Sequence, residues 1–189
     1  MKKIIVATDS FKGSLSALQA CRIIAGQAER VFPQAKIVQL PISDGGEGLG
    51  EGILNALGGE RRIVPTSDPL GREISASYLQ LADGSALIEM AGAGGLTLLD
   101  PGEYDPLRAS TFGVGLMILH AVKNGLDPIY IGLGGSATVD GGTGAATALG
   151  IHFLDDMGEK VFSGGGLGKV QRLDLSGLRE LNYSGKLIF

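Results

Sequence analysis

Ile129-Tyr-Ile-Gly-Leu-Gly-Gly-Ser-Ala-Thr-Val-Asp-Gly-Gly-Thr-Gly-Ala-Ala-Thr-Ala-Leu149 joins a short apolar strand to an alanine-rich helix through a glycine loop carrying Ser136, Thr138 and Asp140. Glycine lets a backbone turn through positive φ and lets a ligand come close to its N–H groups, and the start of the following helix favours an anion. The stretch therefore reads as a phosphate or carboxylate cradle with Asp140 available for a metal or a proton. Strand, glycine loop and helix in that order also point to an α/β fold.

Gly132-Leu-Gly134-Gly-Ser-Ala137 fits the dinucleotide pattern G-x-G-x-x-G/A, with Asp155 and Asp156 beyond it as candidate ribose ligands. That pattern wants a helix to open inside the glycine triplet. Here Thr138, Asp140 and two further glycines come first, so a dinucleotide-dependent oxidoreductase stands only as an alternative. A plain strand-to-helix turn without a ligand is the other alternative.

Two earlier segments repeat the same chemistry. Ile4 to Ala7 reads as a buried strand followed by the polar loop Asp9-Ser10-Phe11-Lys12-Gly13-Ser14. Ser16-Ala-Leu-Gln19 has capping-box form and opens a helix that runs to about Pro33, with Cys21 on its apolar face. Lys36 to Pro41 is a second strand, and Asp44-Gly-Gly-Glu47-Gly48 precedes a short helix ended by Gly58-Gly59. In a parallel sheet ligands bind beyond the carboxyl ends of the strands, so both loops are expected to face one cleft.

From about Thr66 the texture changes to antiparallel sheet, with strands Ile74–Leu81 and Ser85–Met90 joined by the tight-hairpin pair Asp83-Gly84. A helix follows the polar loop Asp105–Thr111 and stops at Asn124-Gly125. Ile151–Leu154 is a further strand. Ser163–Lys169 is a third glycine run that fails the P-loop pattern, because Ser163 replaces its first glycine and Val170 its hydroxyl residue. The last residues, Gly185 to Phe189, read as a strand barely begun, as expected of a truncated fragment. The division anticipated is a first α/β domain over 1–65, incomplete alone, and a mixed α/β domain over 66–189.

Composition narrows the function. Glycine supplies 32 of 189 residues, about 17% against a usual level of roughly 7%, and no collagen-like period accompanies it. A net charge of -4 argues against a nucleic-acid partner. Met1-Lys-Lys leads into a strand without a signal-peptide core, and no apolar run reaches membrane-spanning length, so a cytoplasmic protein is expected, with a homo-oligomer left open. One cysteine and two separated histidines, His120 and His152, leave structural zinc and a Ser-His-Asp triad unsupported.

The three loops do supply phosphoryl transfer. Glycine-loop N–H groups can hold phosphates, Lys12 can neutralise charge, and Asp44, Glu47 and Asp140 can bind Mg²⁺ or accept a hydroxyl proton. The bland alternative for Asp44 and Asp140 is a helix cap.

Asp9-Ser-Phe-Lys-Gly-Ser-Leu-Ser16, Asp44-Gly-Gly-Glu-Gly48, Asp105-Pro-Leu-Arg108 with Gly113-Val-Gly115, and Gly132 to Gly142 occur in the same order as the signature segments of the bacterial glycerate kinase family, which the chain resembles over essentially its whole length. The resemblance implies the N-terminal half of an ATP- and Mg²⁺-dependent kinase that converts D-glycerate to a phosphoglycerate, with the 2-phosphate favoured. It also implies two α/β domains, a parallel-sheet first and a mixed second, with the active site between them. On this reading Asp44, Asp140 and Lys12 are catalytic, and Ser10, Ser14 and Arg108 bind substrate. Gly134, Gly135, Ser136 and Gly141 bind phosphate, and Asp44, Glu47 and Asp140 bind the metal. An inactive fragment that needs its other half is the remaining alternative.

Overall fold

Lys3–Val6 (β1) and Lys36–Gln39 (β2) pair in parallel, with Lys3 opposite Lys36 and Val6 opposite Gln39. Parallel neighbours need a crossover, which Ala17–Val31 (α1) supplies. The capping box is formed: Ser16 Oγ accepts the Gln19 N–H at 3.2 Å, and Gln19 Oε1 accepts the Ser16 N–H at 2.9 Å. Cys21 and Ala25 of α1 pack on Val6, with Ile37 beside them. The Cys21 thiol is fully buried, so its role here is packing. These features come from a computed structural model, which describes residues 2–11, 14–43, 45–46 and 48–189.

Leu49–Leu57 (α2) leads to the second sheet, ending at Gly58, whose φ of 72° suits a residue without a Cβ. Glu60–Ser67 (β3), Glu73–Gln80 (β4), Ala86–Glu89 (β5), Ile129–Gly132 (β6) and Leu187–Ile188 (β9) form one five-stranded sheet in that order. β3, β4 and β5 are antiparallel, and β5, β6 and β9 are parallel. The anticipated division at residue 65 falls inside β3, all of whose residues pair with β4 from Glu60 onward.

The β4–β5 turn is wider than a two-residue hairpin. Its ladder closes at Gln80 and Ala86, and Asp83 Oδ1 takes the Ser85 N–H at 3.0 Å and the Ser85 hydroxyl at 2.6 Å. Backbone bonds close the three-residue loop, the Leu81 N–H donating to the Ser85 carbonyl at 2.9 Å and the Gly84 N–H to the Leu81 carbonyl at 3.1 Å, with Gly84 at φ 86°.

Phe112–Lys123 (α4) covers one face of the sheet, after the short helix Ala91–Gly94 (α3). Val114, Met117, Ile118 and Ala121 meet Val64, Tyr78, Ile88 and Ile131 in the main core. His120 belongs to this packing, its Nδ1 lying 3.0 Å from the Tyr78 hydroxyl. Thr143–Ala148 (α5) lies on α4, followed by the hairpin of His152–Leu154 (β7) and Arg172–Asp174 (β8), and by Ser176–Leu181 (α6). The third glycine run is a 3-10 helix over Gly164–Lys169 seated on the Asp105–Thr111 loop, where the Gly165 N–H donates to the Leu107 carbonyl at 2.9 Å. Its glycines serve close packing. No helix among the described residues is long and apolar enough to cross a membrane.

Two glycines in helices should respond oppositely to alanine. A Cβ at Gly115 would lie 2.5 Å from the Ala145 carbonyl oxygen, whereas one at Gly26 meets nothing within 4 Å. Urea unfolding should show Gly115→Ala losing about 1–3 kcal/mol from the forced separation of α4 and α5. Gly26→Ala should gain about 0.5–1 kcal/mol by reducing the freedom of the unfolded chain.

Candidate functional site

Gly132 and Gly134 are required by backbone-on-backbone contact. A Cβ at Gly134 would stand 2.2 Å from the Gly46 Cα, and one at Gly132 would stand 2.6 Å from the Gly45 carbonyl oxygen. The Gly134 N–H donates to that same carbonyl at 3.1 Å. The second and fourth motif loops are thus pressed together at the carboxyl ends of their strands. A further clasp holds the loop to α3: the Leu96 N–H donates to the Gly135 carbonyl at 3.0 Å and the Ala137 N–H to the Gly94 carbonyl at 2.8 Å. The N–H groups of Gly135, Ser136 and Gly141, like those of Leu133, Val139 and Asp140, have no acceptor among the described residues and so are available to an anion.

Asp140 is 1% exposed, and its carboxylate joins two helix starts. Oδ2 accepts the Thr111 N–H at 2.8 Å, the Thr111 hydroxyl at 2.9 Å and the Gly144 N–H at 3.1 Å, with the Ser110 hydroxyl at 3.4 Å. Oδ1 accepts the Gly142 N–H at 3.0 Å. A buried carboxylate needs such donors to remain charged, and helix starts have free N–H groups to offer. Thr111 completes the junction, since its hydroxyl oxygen accepts the Ala145 N–H at 2.9 Å. Gly144 has no room for a side chain, because a Cβ there would come 2.2 Å from Ser110 Oγ.

The start of α4 is itself held from below. Asp68, 3% exposed, accepts the N–H groups of Leu70 and Arg72 at 2.9 Å each and the Arg72 guanidinium, whose Nη1 also reaches Glu103 at 2.7 Å. The turn so formed presents the Pro69 carbonyl to the Ser110 N–H at 2.9 Å. Burial pushes the Asp68 carboxyl up, but the Arg72 side chain and the backbone donors outweigh it and hold the group below its ordinary value of 3.8.

The expected site residues fall into two groups. Ser136, Asp140 and Gly141 line one cavity of about 510 Å³ together with Thr111, Thr138 and Met90. Ser10 and Ser14 line another, of about 400 Å³, with Gly48, Glu51, Arg61 and Glu89. Gly48, the last residue of the second loop, thus lines the same cavity as Ser10 and Ser14 of the first. Lys12, Asp44 and Glu47 lie outside the described residues. Arg108 is not brought to the Ser10 cavity; it is exposed in the turn closed by the Asp105 carbonyl, which accepts the N–H groups of Arg108 and Ala109 at 3.1 and 2.9 Å. Gly134 gives its N–H to Gly45, and Gly135 stands over Ala91 with φ 74°.

Sequence reasoning passed over Thr111, Arg61 and Glu89 as site residues. Glu89 had one signal, a carboxylate at the end of an apolar strand. Arg61 had none, because Arg61-Arg62 reads as a solvated face.

The glycerate kinase family model matches residues 4–186. The chain belongs to the glycerate kinase family. It is 44% identical over 93% of its length to a glycerate kinase of Halalkalibacterium halodurans, and 42% identical over 93% to a glycerate 2-kinase of Escherichia coli K12. In each case it covers 47% of the relative, so it spans about half the length of the curated relatives it matches. A crystal structure assigned as glycerate kinase 2 from Salmonella typhimurium LT2 superposes with a TM-score of 0.80 at 41% identity, covering 98% of this chain and 50% of that one. The family membership removes the support for an oxidoreductase. The geometry agrees: α5 opens at Thr143, well past the glycine triplet, and Asp155 Oδ1 is engaged by the N–H groups of Met157 and Glu159 at 3.0 and 2.8 Å.

Thr111→Val should lower stability by about 1–3 kcal/mol in urea unfolding at pH 7, because it strips a donor from Asp140 and leaves the Ala145 N–H unpaired. Thr111→Ser should stay near wild type. Arg72→Met should cost about 1–3 kcal/mol at neutral pH through the loss of a partner to a buried carboxylate. Since the folded Asp68 is held below 3.8, its contribution is full above that pH and disappears as pH falls through the folded value. The gap between wild type and Arg72→Met should therefore narrow in acid denaturation below about pH 4.

Proposed function

We propose that this chain is the N-terminal half of an ATP-dependent glycerate kinase acting on D-glycerate in the cytoplasm, in the breakdown of sugar acids and glyoxylate. The favoured product is 2-phosphoglycerate, in keeping with the name of the Escherichia coli relative. The observation that carries this reading is the convergence, in a family member, of the Ser10–Ser14 loop and Gly48 on one cavity whose opposite wall, Arg61 and Glu89, comes from the five-stranded sheet. A space walled by the loop that follows β1 and by the five-stranded sheet supports an active site in a cleft between two domains, with the chain crossing from one to the other before Glu60.

Ser10 and Ser14 are proposed to bind the acceptor substrate, and Lys12 and Arg108 to hold its carboxylate or the transferring phosphoryl group. The N–H groups of Gly135, Ser136 and Gly141 would hold nucleotide phosphates, with Gly134 fixing the loop that presents them. Asp44 or Asp140 acts as base or Mg²⁺ ligand, Asp140 through Oδ1, since Oδ2 is committed to Thr111 and Gly144.

No group of three His, Cys, Asp or Glu residues able to hold a metal occurs among the described residues. Mg²⁺ keeps several waters and takes phosphate oxygens plus one or two carboxylates, which would here be drawn from Asp44, Glu47 and Asp140. When bound it would neutralise charge on the transferring phosphates.

Coupled ADP release should be measured with D-glycerate, ATP and Mg²⁺, on the chain alone and joined to the half of the Halalkalibacterium halodurans kinase that it does not span. D-glycerate-dependent ADP release is expected, falling about 10²-fold or more with Asp44→Asn if that group is the base. A folded joined protein that releases no ADP with D-glycerate overturns the reading.

A further inference from the structure

The Ser10 cavity holds an unusual pair. Glu89 ends β5, opposite Gly132 of β6, at the carboxyl end of the parallel part of the sheet where open α/β sheets present reactive groups. Its carboxylate lies against the first turn of α2: a Cβ at Gly50 would be 2.7 Å from Oε2, so glycine at that position makes the space the carboxylate occupies. Glu89 has no hydrogen-bond donor and no cationic partner among the described residues.

Arg61 reaches the same space from β3. Its Nη1 donates to Ser77 Oγ at 3.2 Å, and no carboxylate among the described residues lies within ion-pair distance. It is the one cationic side chain among the described residues lining the cavity, which also holds Glu51. Gly48, Arg61 and Glu89 are shared with an adjoining cavity of about 500 Å³ that runs to Ala91, Gly92 and Thr97, so the pair stands where the two spaces meet. A cation and a carboxylate left unpaired beside the Ser10 and Ser14 hydroxyls leave capacity for an external ligand. The complementary ligand is a small hydroxy acid, whose carboxylate needs a guanidinium fork and whose hydroxyl needs an acceptor.

We propose that Arg61 and Glu89 form the acceptor pocket of the kinase, Arg61 binding the carboxylate of the hydroxy acid and Glu89, in place of Asp44 or Asp140, taking the proton from its reacting hydroxyl, which leaves Lys12 and Arg108 for the transferring phosphoryl group and Asp44 and Asp140 for Mg²⁺. This rests on the glycerate kinase reading above. In the step, the hydroxyl oxygen forms a bond to the terminal phosphorus of a nucleoside triphosphate while the bond from that phosphorus to the bridging oxygen breaks. The electron pair of the broken bond leaves on the diphosphate, and the hydroxyl proton passes to Glu89.

The test is steady-state ADP release with D-glycerate, in whichever form of the protein turns it over. Arg61→Met should raise KM for D-glycerate by about 10–100-fold with little change in kcat, the loss expected of a charge-assisted contact. Arg61→Lys should recover part of it, and Ser77→Ala should stay within about twofold, since Ser77 only steadies the guanidinium. Glu89→Gln, which preserves shape, should lower kcat by about 10²–10⁴-fold with KM and thermal unfolding near wild type. A merely structural role would move the unfolding temperature and KM together. Wild-type turnover with Arg61→Met and Glu89→Gln both unchanged overturns this pocket and leaves the kinase reading standing. Absence of turnover in the folded joined protein overturns both.

Discussion

A carboxylate removed from water costs free energy unless donors fill its lone pairs, and the second half of this chain is arranged to meet that demand at Asp140. Its donors come from the starts of two helices, α4 and α5, where the first N–H groups have no acceptor within the helix. Each side therefore satisfies the other. Thr111 makes the arrangement reciprocal by giving its proton to Asp140 and accepting the Ala145 N–H. The close crossing of α4 and α5 at Gly115 and the tight seat of Gly144 follow from the same junction.

The glycine loops obey a different constraint, one of distance rather than charge. Gly132 and Gly134 touch the backbone at Gly45 and Gly46, so the second motif loop and the fourth form one piece. Much of the glycine excess is spent in this way. Gly164 and Gly165 likewise allow the third run to lie on the Pro106–Leu107 backbone. Among the described residues of the fourth loop, the N–H groups of Leu133, Gly135, Ser136, Val139, Asp140 and Gly141 have no acceptor.

Family membership and local geometry inform different levels of the account. The family model spans nearly the whole chain, and a crystal structure from the family superposes on it throughout. The matched relatives are about twice as long as this chain. Within this chain, the pairing of the Ser10 and Ser14 wall with Arg61 and Glu89 connects the first sheet to the second.

The sequence by itself determined the α/β class, the capping box at Ser16, the two-strand parallel unit, the stop at Asn124-Gly125 and the family, because each depends on residues close together in the chain or on short motifs in order. It also marked Asp140 as a residue of consequence. It did not determine what Asp140 touches, because Thr111 is far away in the chain and the bond exists only once α4 and α5 are packed. Nor could it separate glycines that hold a ligand from glycines that hold another backbone, since both leave the same local pattern. Arg61 and Glu89 share a cavity only because β3 and β5 flank β4 in one sheet. Strand order is a long-range choice made by core packing, and the tertiary structure alone decided it.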